Sequence, residues 1–170
     1  MLTCESLSKF TYTLLEAGEP RATIRMPTRP AQVRNARFSL GEPGYVMIEA
    51  AGVEHRVEYE TFDSPAGGAR LYRFKLMQGD ARRASATGQP GRPRKWHIEA
   101  PGTVGTLVER RAWFGPMHFD LASGTGAVGA IRETTRMLAL RRRFEIDLPT
   151  VDDLPLRAFL FFLAVNATYR

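Results

Sequence analysis

Basic side chains are the residues of this sequence with the clearest capacity for chemistry. The 170 residues include 24 Lys and Arg against 18 Asp and Glu, a formal charge of +6 at pH 7, and all but three of the basic residues are arginine. The planar guanidinium group binds two phosphate oxygens at once, so this composition favours an anionic partner: nucleic acid, anionic lipid headgroups or an acidic protein. A GC-rich genome also enriches Arg, Ala, Gly and Pro together, and codon bias therefore stays open as the alternative explanation.

One stretch of the sequence concentrates the positive charge. The run Gly79–Lys95 holds five basic residues against Asp80, a net +4 in 17 residues. Gly, Pro, Ser and Ala fill most of the rest without an apolar period, which predicts a flexible loop between two strands. The candidate anion-binding residues of this loop are Arg82, Arg83, Arg92, Arg94 and Lys95. Because the run contains no aromatic side chain on which bases could stack, nucleic acid is the less favoured partner.

A second basic group, Arg141–Arg143, precedes an alternating apolar stretch at Phe144–Leu148. Strand parity counted back from that stretch places the middle arginine, Arg142, on the inward face and its two neighbours outside. An unpaired charge is prohibitive in a core, so Arg142 must lie at the mouth of the fold, sit at a bulge or pair with a carboxylate. Two roles follow for it: a rim arginine that reaches water, or part of a phosphate-binding rim with Arg110 or Arg111 on a neighbouring strand.

The other motifs lack the spacing that catalysis or metal binding needs. His55, His97 and His118 are isolated from one another, which indicates core or rim residues and predicts no metal site. The Gly-rich run Gly124–Gly129 is interpreted as a hairpin turn, with a dinucleotide site as the alternative, because the 41 residues after it are too few to complete a doubly wound sheet. The single cysteine, Cys4, excludes an internal disulfide. We therefore expect no enzyme activity and no cofactor.

Alternation of apolar and polar residues predicts that most of the chain forms short antiparallel strands. The clearest strands are Val53–Phe62 and Leu71–Met77, and Asp63–Gly68 between them has the composition of a hairpin turn. Weaker candidates are Phe10–Leu15, Ala22–Met26, Ala36–Leu40, Tyr45–Ala50, Lys95–Glu99, Thr106–Arg111, Met117–Leu121, Ala127–Glu133 and Phe144–Leu148. About ten strands at this spacing are typical of a sandwich or a barrel.

The end of the chain departs from this strand pattern. Asp152 and Asp153 provide a helix N-cap, a proline follows in the first turn, and the sequence then predicts a helix over 153–168. From Leu154 to Val165 the run is apolar on every side, so this helix must be buried all round. Three alternatives stay open: a buried strand at Phe159–Val165, a helix in a dimer interface, and a membrane span, for which the run is short.

The order of motifs from Gly105 onward resembles that of a known group of proteins. The segments that carry the resemblance are Trp113–Pro116, Met117–Leu121, Ser123–Gly126, Val128–Arg132, Phe144–Pro149 and Leu154–Thr168. In this order they are similar to the ending of the tubby C-terminal-like superfamily, which includes the phospholipid scramblases and the LURP-one-related proteins. The resemblance implies one domain over 1–170, a closed antiparallel β-barrel of about twelve strands around a central hydrophobic C-terminal helix. It also implies binding to anionic lipid or phosphoinositide at a membrane surface.

These observations lead to one expected function and two alternatives. We expect a non-enzymatic binding module that is cytoplasmic and at most peripherally associated with a membrane, since Met1–Leu15 lacks the pattern of a signal peptide. The first alternative is a nucleic-acid-binding protein that uses the Arg-rich loop. The second is a carrier of a small ligand, with its pocket at the mouth of the barrel because a central helix fills the interior.

Overall fold

A computed structural model describes residues 1–6, 10–26, 46–63, 70–88, 93–110, 115–124, 126–135 and 141–168. These residues form twelve strands and one helix. The elements are β1 (Leu2–Ser6), β2 (Thr11–Glu16), β3 (Glu19–Arg25), β4 (Val46–Ala50), β5 (Val53–Asp63), β6 (Arg70–Gln78), β7 (Ala81–Gly88), β8 (Lys95–Ala100), β9 (Thr103–Glu109), β10 (His118–Ser123), β11 (Gly126–Glu133), β12 (Arg142–Asp147) and α1 (Leu154–Thr168).

The strands close into one antiparallel barrel in which every strand pairs with its neighbours in sequence. The first and last strands complete the ring, with Leu2 opposite Ile146 and Ser6 opposite Arg142. A closed ring leaves no free sheet edge, so its backbone donors and acceptors are satisfied within the wall. The predicted barrel of about twelve strands around a C-terminal helix is confirmed.

The two ends of the barrel differ in how they connect the strands. At one end, here called the tight-turn end, two-residue turns occupy 17–18, 51–52, 79–80 and 101–102, and Ser123 of β10 pairs with Gly126 of β11. Ala17 and Gly18 both have positive φ, at 50° and 87°, which is the geometry of hairpin turns that match the strand twist. At the opposite end, here called the long-connection end, β1 joins β2, β3 joins β4, and so on around the ring.

Helix α1 fills the interior. It begins at the tight-turn end, where Leu154 lies beside Pro20 and Gly52, and it continues toward the long-connection end for about 22 Å at 1.5 Å per residue. Every side chain from Phe159 to Ala167 is at most 3% exposed. The ring of Phe161 packs edge-on against Tyr12 and Phe144 of the wall. The segment is therefore a buried helix, and the interpretation as a strand is wrong.

Small inward residues make room for large rings on one side of the wall. The inward positions of β7 are Ala84, Ala86 and Gly88, all buried. The indole of Trp96, from the next strand, lies directly over Gly88, where an added Cβ would come within 2.3 Å of its Cε3 atom. A glycine is therefore required at this position because any side chain would occupy the space of the indole.

The structure corrects two expectations about the strands. The predicted loop over Gly79–Lys95 is wrong for Ala81–Gly88, which is strand β7, and Lys95 already belongs to β8. Strand β1 was not predicted, although it closes the barrel. The predicted strand Ala36–Leu40 lies outside the described residues. The Gly-rich run Gly124–Gly129, interpreted as a hairpin turn, belongs to strand β11 from Gly126 onward. Strands β10 and β11 pair as antiparallel neighbours, so the run lies in a hairpin, as expected, but most of it is strand.

Candidate anion-binding end of the barrel

The basic residues predicted to act together lie at opposite ends of the barrel. Strand β7 runs the full height of the wall, so Arg82 and Arg83 lie at the tight-turn end, whereas Arg94 and Lys95 lie at the long-connection end. The seven residues of strand that separate the two groups place them about 20 Å apart along a tilted wall. The described basic residues of Gly79–Lys95 therefore do not form the single basic patch that the sequence predicts. Arg92 and Arg111, also predicted for the site, lie outside the described residues.

The long-connection end is basic. The end is defined by the connections between strands on this side of the barrel and by the two strand residues on either side of each connection, as far as their side chains are described. Eight of these are basic: Arg25, Arg94, Lys95, Arg110, Arg132, Arg141, Arg142 and Arg143. Four are acidic: Glu5, Asp63, Glu109 and Glu133. A net positive charge at one rim attracts anions from solution.

The tight-turn end is acidic by the same count. Nine of its side chains are acidic: Glu16, Glu19, Glu49, Glu54, Asp80, Glu99, Asp147, Asp152 and Asp153. Arg82 is the one basic side chain among the described residues counted there. Arg83 lies one residue further in and has its guanidinium 3.6 Å from the Asp153 carboxylate. The two ends of the barrel thus carry charge of opposite sign.

The sequences that link consecutive strands at the long-connection end are themselves basic in composition. These sequences lie outside the described residues. They are 7–9, 27–45, 64–69, 89–92, 111–114 and 136–140. They contain one acidic residue, Glu42, and seven basic ones: Lys9, Arg29, Arg34, Arg37, Arg92, Arg111 and Arg136. Their net charge equals the +6 of the whole chain. The rest of the protein is neutral overall.

Arg110 is engaged by a carboxylate rather than free. Its guanidinium donates to Asp120, and His118 Nε2 lies 2.9 Å from the other oxygen of the same carboxylate. Burial by itself would raise the pKa of Asp120, but the hydrogen bond from Arg110 and the charge of His118 hold that pKa below its usual value. Because Asp120 stays ionised, Arg110 is largely neutralised as an anion site.

Arg142 points inward at the rim, as strand parity predicts, and its partner is a carboxylate. Its Nε and Nη2 atoms each donate to an oxygen of Glu133 at 2.8 Å, and its guanidinium lies 4.9 Å from the centre of the Phe144 ring. Burial would raise the pKa of Glu133, but the hydrogen bonds from Arg142 and Thr135 hold that pKa below its usual value. This bidentate pair occupies the donors that a phosphate would need.

The predicted phosphate rim of Arg142 with Arg110 is wrong in its geometry. The neighbours of β12 in the ring are β1 and β11. Arg110 follows β9, which is separated from β12 by β11 and β10. The outer arginines of the same group also have a carboxylate neighbour, since Glu5 lies 3.9 Å from Arg141 and 3.2 Å from Arg143. Both pairs are exposed, and exposed ion pairs of this kind are weak.

Lys95 and Arg132 are the exposed basic residues on this part of the wall without an ion-pair partner in the described chain. Both project outward near the long-connection end, from β8 and β11. Lys95 was predicted for the site, whereas Arg132 was missed because it stands alone within an otherwise unremarkable strand. The pairing of β11 with β10 and β12 shows that Arg132 lies at the long-connection end, beside the other basic residues.

The described residues contain no constellation typical of catalysis or metal binding. No group of three His, Cys, Asp or Glu residues is placed to hold a metal ion there. His55 is buried and its Nδ1 lies 3.2 Å from the carbonyl of Val53. Burial raises the pKa of the Cys4 thiol to about 12, which removes it as a nucleophile near neutral pH. No helix in the described ranges is long and apolar enough to cross a membrane.

The opposite charge of the two barrel ends is the feature of this structure that bears most directly on function. Binding at the long-connection end would use its unpaired cations first, because the paired arginines must break an existing contact. Comparison with known proteins adds no assignment to this picture: no protein family, no curated protein and no solved structure matches the chain.

Proposed function

We propose that the protein is a peripheral binding module whose long-connection end docks on anionic lipid surfaces. The observation that carries this proposal is the opposite charge of the two barrel ends, with eight basic and four acidic described side chains at one end and one basic and nine acidic at the other. The resemblance of the sequence to the tubby C-terminal-like superfamily supports the same partner.

The charge distribution favours one orientation on a negatively charged surface. A basic residue near an anionic leaflet contributes about 1 kcal/mol of attraction, and the effect fades within a Debye length of about 8 Å at physiological salt. Along β7 the two ends are separated by about 20 Å, more than twice that length. The wall is lower at β3 and β4, where Arg25 of the long-connection end lies 3.3 Å from Glu49 of the tight-turn end. A membrane therefore attracts the long-connection end strongly, while the acidic end is far enough away to be little repelled.

The shape of the basic end favours a flat surface over a nucleic acid. The cations lie around the rim of a closed ring, which presents them in one plane, whereas a duplex is usually bound by a stripe or an inserted element. Phe10 lies at the same end and is 36% exposed, so it can enter the interfacial region of a bilayer. Phe10 is the one exposed aromatic ring among the described residues at this end, which offers little base stacking.

Flotation with lipid vesicles tests this proposal. We expect the protein to bind vesicles of phosphatidylcholine mixed with phosphatidylserine, to ignore vesicles of phosphatidylcholine alone, and to dissociate as salt is raised. The double variant Lys95→Gln/Arg132→Gln removes two charges from the docking end. Its affinity should fall by about 2 kcal/mol, roughly 30-fold.

The matched control removes the same number of charges from the opposite end. Arg82→Gln/Arg83→Gln lowers the net charge equally but should change vesicle affinity by less than about twofold, since these residues lie beyond the Debye length. Equal losses in the two double variants would show a response to net charge without a docking end. Absence of binding to the anionic vesicles at low salt would remove the lipid proposal, and tight, salt-sensitive retention on duplex DNA or RNA in its place would indicate a nucleic-acid partner.

A further inference from the structure

Two buried N–H donors in the barrel have no hydrogen-bond partner in the described chain. They are the indole Nε1 of Trp96 and the amide Nδ2 of Asn166, and their residues are 4% and 3% exposed. Buried donors in folded proteins are almost always satisfied by protein, water or a ligand, because an unmet donor loses its hydration without compensation. Two such donors in one small barrel indicate an acceptor that lies outside the described residues.

The two donors lie on the same side of the interior. Trp96 packs edge-on against Phe74, with 5.3 Å between the ring centres, and Phe162 of α1 packs against the same ring at 5.5 Å. Asn166 is four residues after Phe162, so it lies one turn further along nearly the same face of the helix. That turn leads toward the long-connection end, which is also the end where Trp96 enters the wall.

Aromatic rings border this region. Tyr59 and Tyr72 stack on each other at 5.9 Å with an angle of 19° between their planes, and Tyr59 also contacts Phe74 at 5.0 Å. Their strand parity is that of the inward-facing Val57 and Phe74, yet both tyrosines are only partly buried, unlike the fully buried inward rings deeper in the barrel. The buried donors of Trp96 and Asn166 therefore lie near rings, those of Tyr59 and Tyr72, that are partly exposed to solvent.

We propose that Trp96 and Asn166 form the polar end of a slot for a small planar molecule that carries a hydrogen-bond acceptor. The donors are neutral N–H groups, so they select a carbonyl, carboxylate or sulfonate oxygen, and the flanking rings select a flat apolar body. This site is independent of membrane docking, because it uses neither Lys95 nor Arg132. Its chemical class of ligand is an aromatic carboxylate or a closely related acceptor-bearing ring.

The first test compares the protein as purified with the same protein after unfolding, dialysis and refolding. Native mass spectrometry should show a small-molecule adduct on the purified protein that is absent after refolding, and the refolded protein should unfold at a lower temperature. The variants Asn166→Leu and Trp96→Phe keep the approximate shape of each side chain and remove the donor. In both variants the difference between purified and refolded protein should disappear.

The second test uses 1-anilinonaphthalene-8-sulfonate, which joins a flat apolar body to an acceptor oxygen, as the probe for the refolded protein. We expect saturable binding to wild type under native conditions, weakened about tenfold by loss of either donor. The control Ser123→Ala, at the tight-turn end, should bind the probe as wild type does. Vesicle flotation of the donor variants should be unchanged, so this proposal and the proposed function fail separately.

One pattern of results would overturn the slot. If the purified protein carries no adduct and the probe does not bind to the refolded protein, no slot exists. In that case Asn166→Leu should be at least as stable as wild type, because the amide is then an uncompensated or hydrated group. If the probe binds wild type and both donor variants equally, the donors do not hold it, and the assignment of the polar end is wrong.

Discussion

Truncating Phe161 to alanine measures how much the helix contributes as the filling of the barrel. The side chain is fully buried and packs edge-on against Tyr12 at 5.6 Å and Phe144 at 5.1 Å. Deleting a buried phenylalanine costs about 3–5 kcal/mol, and the cost is highest where the surroundings cannot collapse. A wall closed by twelve hydrogen-bonded strands resists collapse, so we expect a loss in the upper part of that range.

The control makes the same truncation on the outside of the wall. Phe62 is half-buried on the outer face of β5, where the Arg73 guanidinium lies 4.5 Å from its ring centre. Loss of this contact should cost about 1 kcal/mol or less. Unfolding in guanidinium chloride, followed by circular dichroism, gives both values, with the midpoint lowered and the slope unchanged. A cost for Phe161→Ala no greater than that for Phe62→Ala would refute a helix-filled barrel.

Three further predictions follow from individual contacts. Gly88→Ala should destabilise the fold by about 1–3 kcal/mol and alter tryptophan fluorescence, because the new Cβ would lie 2.3 Å from an indole atom, whereas Gly126→Ala, with nothing within 4 Å, should be close to neutral. Cys4 should resist thiol reagents at neutral pH in the folded protein and react at once after denaturation, since burial raises its pKa to about 12. The folded-state pKa of Glu133 is lowered from its ordinary value of 4.5, so its contribution to stability is present above that value and should be lost in urea-unfolding midpoints as pH falls below it. Arg142→Leu should destabilise the protein at neutral pH and reduce that loss in acid, because the contact that lowers the pKa of Glu133 is gone while its burial still raises it. An unchanged acid profile would contradict the pairing of these two residues.

The charge at the two ends also complements the buried helix. Asp152 and Asp153 precede the start of α1, where the helix dipole is positive, and the arginine-rich rim surrounds its end, where the dipole is negative. This contribution falls off within the first and last turns, so it accounts for charges close to the helix ends. Lys95 and Arg132 project from the outer wall, and their charge therefore has no such structural role.

The sequence predicts the barrel well wherever alternation is carried by large apolar residues. Val53–Phe62 and the apolar run beginning at Leu154 are found as a strand and a helix close to the predicted bounds. Strand β7 escaped prediction because its inward residues are Ala84, Ala86 and Gly88, which are too small to register as an apolar face. They are small because the Trp96 indole and the central helix occupy the space in front of them.

The candidate site was predicted in its residue types but not in its geometry. A run of charges such as Gly79–Lys95 looks continuous along the sequence, yet a strand inside it separates its two halves by the height of the barrel. Conversely, Arg132 joins the basic end through strand pairing alone. Which carboxylates neutralise which arginines also depends on register, as the pair of Arg142 with Glu133 shows, and register cannot be derived from composition.

The most direct test of the proposed docking end is to determine which end of the barrel meets a membrane. Thr134 and Thr150 are both exposed, the first at the long-connection end and the second at the tight-turn end. Each can be changed to cysteine and labelled with an environment-sensitive nitrobenzoxadiazole dye, because the native Cys4 is buried. On vesicles containing phosphatidylserine, we expect a blue shift and brighter emission from Thr134→Cys and no change from Thr150→Cys. The reverse pattern, or equal responses at both positions, would contradict docking through the basic end.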